Sequence, residues 1–174
     1  MAQVEVFYSL QSAYCYCLAD RLLDLARRGV VVVLRPVLGG LLRLPDRFAN
    51  RDALERNYFD RDVVRVADYL GLPFANPDPP PIAFEPGGHW IAAKDQPLCM
   101  MIYRLFVGAV DAGRGLAFLD HVARLLWDGS TSGWDQGDHL THAMAAAGLD
   151  RDTVLDDMPQ TRAAEILRTN AAAM

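Results

Sequence analysis

Two strand patterns flank one helical pattern within the first 37 residues, and this arrangement restricts the fold more than any other feature of the sequence. Apolar residues alternate over residues 3–8, which predicts a strand there. The unbroken apolar run at residues 30–37 is typical of a strand covered on both faces, as in a parallel sheet. Between them apolar residues recur at helical spacing from Tyr14 to Leu25, and Gly29 supplies a stop. The pattern therefore predicts a βαβ unit.

The remainder of the chain is predicted to be almost wholly helical. A proline-rich segment at residues 72–90 is the exception, and its length indicates a lip over a cleft or a mobile loop. Two strands alone make a poor sheet, so something else is expected to complete it. Helices are predicted at about residues 51–70, 96–111, 116–127, 138–147 and from 152 to the end, with Pro159 dividing the last stretch.

Composition excludes several classes of protein. The chain has 174 residues, slightly more than half of them apolar, and a net charge of -5. These values are typical of an ordinary globular chain without the basic footprint of a nucleic-acid-binding protein. The N-terminus lacks a signal-peptide pattern, and no apolar run is long enough to cross a bilayer. We therefore expect a cytoplasmic protein with neither nucleic acid nor a membrane as partner.

The cysteines at first suggest redox chemistry in the stretch "FYSLQSAYCYC". Cys15 and Cys17 are two apart on a predicted helix and point away from each other, so they cannot form a disulfide or chelate one ion. We interpret both as small packing residues. A thioredoxin-type site needs Cys-x-x-Cys at the turn from strand to helix, and here Ser12 stands at the attacking position. Dithiol exchange is therefore not expected at this turn.

Ser12 has two interpretations on the sequence alone. Its hydroxyl is suited to capping the helix that follows. It also lies just beyond the carboxyl end of a strand, at the positive end of a helix, where α/β folds collect ligands.

No other catalytic or metal-binding motif is recognisable. His139 and His142 lie three apart on one predicted helical face, which is legitimate spacing for a metal, but no third strong ligand is near. We therefore predict no metal site. The sequence contains no P-loop, dinucleotide-binding glycine motif, nucleophile elbow or Ser-His-Asp triad.

Several ordered motifs resemble the group that contains 2-hydroxychromene-2-carboxylate isomerase and kappa-class glutathione transferases, within the DsbA-like thioredoxin-fold family. The first is "VEVFYSLQSAYCYCLADRL", similar to a strand followed by Ser-Pro-Tyr-x-Tyr at the start of a helix. The others are "LRPVLGGLL", "NYFDRDVVRVADYLGLPF", "GLAFLDHVARLLWDG" and "GLDRDTVL". The likeness covers nearly the whole chain.

The resemblance implies a thioredoxin-like α/β fold with an inserted helical domain. The βαβ unit would occupy residues 1–40, the inserted helical domain 41–160, and the return to the thioredoxin-like domain would begin at 161–174. It also implies glutathione as the cofactor, with Ser12 holding its sulfur as the catalytic and cofactor-binding residue. Tyr14 would bind an aromatic, carboxylate-bearing substrate, in a homodimeric enzyme of aromatic compound catabolism.

In the isomerases of this group the thiolate adds reversibly to a conjugated ketoacid, which permits a bond rotation. In the transferases it attacks an electrophile and stays attached. Both activities are open to this chain, as are a DsbA-like thiol-disulfide oxidoreductase using Cys15 and a non-catalytic binding domain.

Two departures from the family pattern stand out. Ala13 replaces the usual proline, which a first helical turn tolerates. Family members also continue past a segment like "ILRTNAAAM" into a Gly-Val-Pro strand with a cis-proline, a further strand and a helix, whereas this sequence stops at Met174. We therefore expect one of three situations: this sequence is part of a longer chain, another chain supplies the strands, or the protein is a relative that no longer catalyses.

Overall fold

The βαβ unit predicted from the sequence is present. The structure, a computed structural model, describes residues 2–87 and 90–174. Strand β1 (Gln3–Tyr8) leads into helix α1 (Ala13–Arg27) and then into strand β2 (Val31–Pro36). The strands are parallel, with a register that runs from Gln3 opposite Val31 to Tyr8 opposite Pro36. Within the described residues these two strands form the whole sheet.

Helices account for most of the remaining chain. Helix α6, a π-helical turn and α7 follow one another without a break, and a π-helical turn in a helix is an irregularity that the sequence pattern did not predict. Pro159 separates α9 from α10 as predicted. The bounds are α2 Gly40–Arg43, α3 Pro45–Ala49, α4 Ala53–Leu70, α5 Pro97–Asp111, α6 Gly115–Phe118, the π-helical turn Leu119–Ala123, α7 Arg124–Trp127, α8 His139–Ala146, α9 Arg151–Asp157 and α10 Gln160–Ala173.

Two sequence expectations need correction. Strand β2 is not covered along its whole length, because α1, α5 and α10 reach Leu34 and Pro36 but leave Val31 exposed. The predicted helix at 51–70 exists as α4, yet its apolar residues do not all face the core. Leu54 is 79% exposed, and the buried positions are Val63 and Ala67.

Helix α5 occupies the centre of the core. Its residues are apolar on nearly every face, as expected of a helix surrounded by other elements. It packs against α6, α9, α10 and β2. The side chains that it buries almost completely are Cys99, Ile102, Tyr103, Leu105, Phe106, Val107 and Ala109.

One continuous apolar core joins the βαβ unit to the helices. Tyr8 and Leu34 from the strands belong to the same cluster as Tyr103, Phe118 and Leu167 from the helical part. The predicted domain boundaries at residues 40 and 160 stay predictions. Among the described helices, none has the length and apolarity to cross a membrane.

Candidate functional site

The turn between β1 and α1 places Ser12 at the N-terminus of a 15-residue helix. Ser12 has extended backbone angles, and its hydroxyl oxygen accepts a hydrogen bond from the Cys15 amide at 3.4 Å. That distance is long for a helix cap. Within the described residues the Ser12 hydroxyl makes no other recorded hydrogen bond. Its proton is therefore free to be donated to a ligand.

The loop before Ser12 is fixed by three hydrogen bonds to two different parts of the molecule. The side-chain oxygen of Gln11 accepts from the Gly39 amide at 2.8 Å, and its side-chain nitrogen donates to the sulfur of Cys99. The hydroxyls of Ser9 and Tyr103 share a buried hydrogen bond of 2.9 Å. These contacts tie the loop to α5 and to the segment after β2, so Ser12 stands on a rigid support.

Trp127 adds a further anchor for this loop. Its indole nitrogen donates to the Leu10 carbonyl at 2.9 Å, in a buried bond between α7 and the loop. Four consecutive residues, 9–12, are thus all engaged through side-chain hydrogen bonds.

Tyr14 is the second residue of α1 and follows Ser12 by two positions, and its assignment to substrate binding stays a prediction. The side chain is 36% exposed, and its hydroxyl donates to a carboxylate oxygen of Asp62 at 2.5 Å. Partial burial and then this bond raise the pKa of Tyr14 well above its usual range. The hydroxyl therefore stays protonated and its only proton is committed to Asp62, which leaves the ring as its free surface.

Three aromatic rings continue outward from Tyr14. We call Phe48, Phe59 and Trp90 the aromatic cluster. The ring centroids of Tyr14 and Phe59 are 5.2 Å apart and those of Phe59 and Trp90 5.1 Å, both edge to face. Phe48 lies 5.9 Å from Trp90. The sequence pattern does not predict this cluster, because its three members come from three separate segments of the chain.

Arg51 contacts two rings of the aromatic cluster. Its guanidinium carbon lies 4.7 Å from the ring centroid of Phe48 and 5.7 Å from that of Trp90. The guanidinium also pairs with Glu55 at 3.2 Å. With two ring faces and one carboxylate already engaged, Arg51 is suited to positioning the rings rather than to binding an anionic ligand.

Trp90 adopts an unusual backbone conformation, with φ at 64° in the left-handed region. For a bulky residue this conformation costs about 1–3 kcal/mol and is retained only where surrounding contacts enforce it. Each aromatic pair supplies about 0.5–1.5 kcal/mol, and a cation–π contact about 0.5–2 kcal/mol. The contacts of Trp90 are therefore of the same order as its strain.

Three free thiols lie near the site but differ in exposure. Cys99 and Cys17 are buried and Cys15 is half-buried. Burial raises the pKa of Cys99 to about 12 and also raises that of Cys17. These two thiols stay protonated, and the burial of Cys17 is consistent with the packing role expected of it.

The hydroxyl of Tyr8 is a buried group beneath the first turn of α1. Its oxygen has no hydrogen-bond partner among the described residues. Burial raises the pKa of Tyr8 strongly, and Cys15 and Tyr103 are among the groups near enough to contribute. The Tyr8 hydroxyl is therefore neutral.

Other parts of the described chain show fewer features of a functional site. In the part of the chain that the structure describes, no group of three or more His, Cys, Asp or Glu side chains lies close enough to hold a metal ion. A groove of about 440 Å³ runs along the flank of α1 between Cys17 and the end of α4 at Leu70, away from Ser12. The proline-rich lip is described except for residues 88 and 89.

Comparison with known proteins establishes the family. Residues 3–174 match the family of the DsbA-like thioredoxin domain, so the chain belongs to this family. Membership confirms the resemblance to the DsbA-like group and the thioredoxin-like fold with its large helical portion. None of the curated proteins matches the sequence.

Two solved structures illustrate the likeness. A 2-hydroxychromene-2-carboxylate isomerase is 17% identical with a TM-score of 0.64, over 98% of this chain and 78% of that one. A probable DsbA oxidoreductase from Streptomyces coelicolor is 20% identical with a TM-score of 0.57, over 98% of this chain and 73% of that one. At these identities the likeness establishes the fold alone.

Proposed function

We propose that the protein is a glutathione-dependent isomerase, similar to 2-hydroxychromene-2-carboxylate isomerase, or a transferase, acting on an aromatic carboxylate-bearing compound. One observation carries the proposal. A serine hydroxyl with an uncommitted proton, rather than a thiol, stands at the N-terminus of α1 directly after β1. A hydroxyl is suited to hold a sulfur that another molecule brings.

The residues of this turn fit a bound thiolate. The Ser12 hydroxyl can donate a hydrogen bond to sulfur, and the helix N-terminus favours negative charge nearby. Both effects stabilise thiolate relative to thiol, which lowers the pKa of the bound sulfur. Glutathione would supply the nucleophile, while the chain supplies its position and its ionisation.

Tyr14 follows Ser12 by two residues in the first turn of α1, and its ring is partly exposed, so it is the side chain that we assign to substrate contact. Its committed hydroxyl limits that contact to the ring. A homodimer in the cytoplasm, with neither nucleic acid nor membrane as partner, completes the proposal. Its support is the family resemblance, together with a net charge of -5 that offers no basic footprint for nucleic acid.

Glutathione binding by isothermal titration calorimetry tests the role of Ser12. We expect wild type to bind and Ser12→Ala to bind at least tenfold more weakly, because the donor to sulfur is lost. Asp150→Ala is the matched control. Asp150 caps α9 by accepting from the Thr153 amide at 2.8 Å, so this variant loses a helix cap far from the turn.

The two variants separate a cap from a sulfur contact. Both should unfold more easily than wild type, Ser12→Ala by about 0.5–2 kcal/mol, whereas only Ser12→Ala should lose glutathione affinity. Equal affinity in Ser12→Ala and wild type would reduce Ser12 to a cap. Absence of binding by wild type would refute the glutathione proposal and leave an oxidoreductase and a non-catalytic binding domain as the remaining candidates.

A second candidate function is that of a DsbA-like thiol-disulfide oxidoreductase. The half-buried, free thiol of Cys15 favours it, since it occupies the second cysteine position of the motif. Insulin reduction by wild type and Cys15→Ala tests it. We expect wild type to be inactive, and Ser12→Cys, which restores the Cys-x-x-Cys spacing, to gain activity. Activity of wild type that disappears in Cys15→Ala would favour the oxidoreductase instead.

A further inference from the structure

The proline-rich lip carries Trp90 on a well-anchored base. Phe84 and Ala92 form an antiparallel bridge, and the Glu85 amide donates to the Ile91 carbonyl at 2.9 Å. The side chain of Gln96 closes the base: its oxygen accepts from the Ala83 amide at 2.9 Å, and its nitrogen donates to the Ala83 carbonyl at 2.8 Å. Trp90 therefore projects from a fixed support.

Ring contacts connect Trp90 to the first turn of α1, the helix that Ser12 caps. Tyr14 follows Ser12 by two residues, Phe59 contacts the ring of Tyr14, and Trp90 contacts Phe59. A group attached to a sulfur at Ser12 and extending past Tyr14 meets these rings next. Trp90 is half-buried, so part of its ring remains free for such a contact.

The strained backbone of Trp90 indicates that its position is specifically maintained. A left-handed conformation for tryptophan is rare, and outliers of this kind cluster at ligand clamps. Phe48 and Arg51 also contact the ring of Trp90. Because the charge of Arg51 is paired with Glu55, its guanidinium is suited to support the ring of Trp90 rather than to bind a ligand.

We propose that Trp90 is a specificity-determining residue, the outer wall of the space that receives the group attached to the sulfur, and that Arg51 positions it. This inference rests on the proposed function. It assigns the choice between large flat groups and small groups to one side chain of the lip, separately from the sulfur contact at Ser12.

Binding of two glutathione conjugates tests this assignment without any need for turnover. Calorimetry is done with S-methylglutathione and with S-(2,4-dinitrophenyl)glutathione, which bears a flat ring. For wild type we expect the dinitrophenyl conjugate to bind at least tenfold more tightly. In Trp90→Leu the ratio should fall below threefold, while the affinity for S-methylglutathione stays within twofold of wild type. Trp90→Phe, which keeps a ring, should retain most of the preference.

The role of Arg51 is tested by two variants that differ in charge. Arg51→Gln should lower the ratio, and Arg51→Lys should restore it to within threefold of wild type, because an ammonium can also lie over the rings. Tyr69→Leu is the control for a lost aromatic residue, since Tyr69 is 87% exposed on α4. If Trp90→Leu fails to fold, the Arg51 pair supports or overturns the same assignment.

The outcomes distinguish the two proposals. An unchanged ratio in Trp90→Leu, or a wild-type ratio below threefold, overturns the role of Trp90 while binding of glutathione still supports the function. If wild type binds neither glutathione nor S-methylglutathione, the proposed function fails, and the assignment of Trp90 fails with it.

Discussion

At the scale of single residues, the turn after β1 places the Ser12 hydroxyl and the Cys15 thiol three residues apart. One hydrogen bond links the two residues, from the backbone amide of Cys15 to the Ser12 oxygen, so the hydroxyl proton points elsewhere. In the proposed function this hydroxyl donates a hydrogen bond to the sulfur of glutathione, while Cys15 occupies the second position of the motif.

Tyr14 gives a residue-scale prediction about which part of a tyrosine contacts a substrate. Its proton is donated to Asp62, so the hydroxyl has none left for a substrate. We expect Tyr14→Phe to change the affinity for S-(2,4-dinitrophenyl)glutathione by less than threefold, and Tyr14→Ala to weaken it by tenfold or more. Calorimetry decides between them, and a large loss in Tyr14→Phe would mean that the hydroxyl takes part.

Stability at alkaline pH also depends on individual residues. Burial raises the pKa of Cys99 to about 12, and burial with the nearby Asp128 raises that of Tyr16 to about 12. Both groups ionise more readily in the unfolded chain, from about pH 9 for a thiol and pH 10 for a phenol. Their contribution is complete below those values and is lost as the pH rises towards 12.

Urea denaturation at pH 8, 10 and 11 measures this loss. We expect the free energy of unfolding to fall steadily over that range, and to fall less steeply in Cys99→Ala, which has no thiol to ionise. A curve that stays flat to pH 11 would show that neither group is as well protected as its burial implies.

At the scale of helices, α5 and α9 approach so closely that a side chain at Gly108 has no room. A Cβ atom there would lie 2.5 Å from a Val154 methyl carbon. We expect Gly108→Ala to destabilise the protein by about 1–3 kcal/mol through overpacking. Val154→Ala should lose packing by itself and yet relieve part of the cost in the double variant.

A double-mutant cycle in urea measures the coupling of these two positions. We expect the two destabilisations to sum to more than that of the double variant. Strict additivity would mean that the helices shift apart instead of colliding. Gly71→Ala serves as a comparison, because Gly71 has a left-handed φ of 65° with no atom near its Cβ position and so tests backbone strain alone.

Elements were predictable from the sequence where local chemistry decides them. The alternation in β1, the cap at Ser12 and the stop at Gly29 all depend on near neighbours along the chain. The aromatic cluster was not predictable, because Phe48, Phe59 and Trp90 meet only through tertiary packing. The exposure of Leu54 was missed for the same reason, since a periodic pattern does not say whether a partner covers the face.

At the scale of the whole molecule, the site loop is held by the helical part. Trp127 donates to the Leu10 carbonyl, and α10 reaches β2 through the amide of Asn170, which donates to the Pro36 carbonyl at 2.9 Å. A single apolar cluster includes both parts. The βαβ unit and the helices should therefore unfold together.

Cooperative unfolding is measurable with two probes. We expect far-ultraviolet circular dichroism and tryptophan fluorescence to give the same midpoint in urea. Trp127→Phe loses one buried hydrogen bond, which should lower the free energy of unfolding by about 1–3 kcal/mol and shift the midpoint to less urea. The two transitions should stay coincident. Separate midpoints would indicate that the helices form an independent unit.

The unequal exposure of the three thiols has a practical consequence for spectroscopy. Cys17 and Cys99 are enclosed and protonated, whereas Cys15 is partly open to solvent on the first turn of α1. A maleimide fluorophore or nitroxide should therefore attach at one position in the natural sequence, without prior cysteine replacement. Such a label would report directly on the binding of a ligand at the turn.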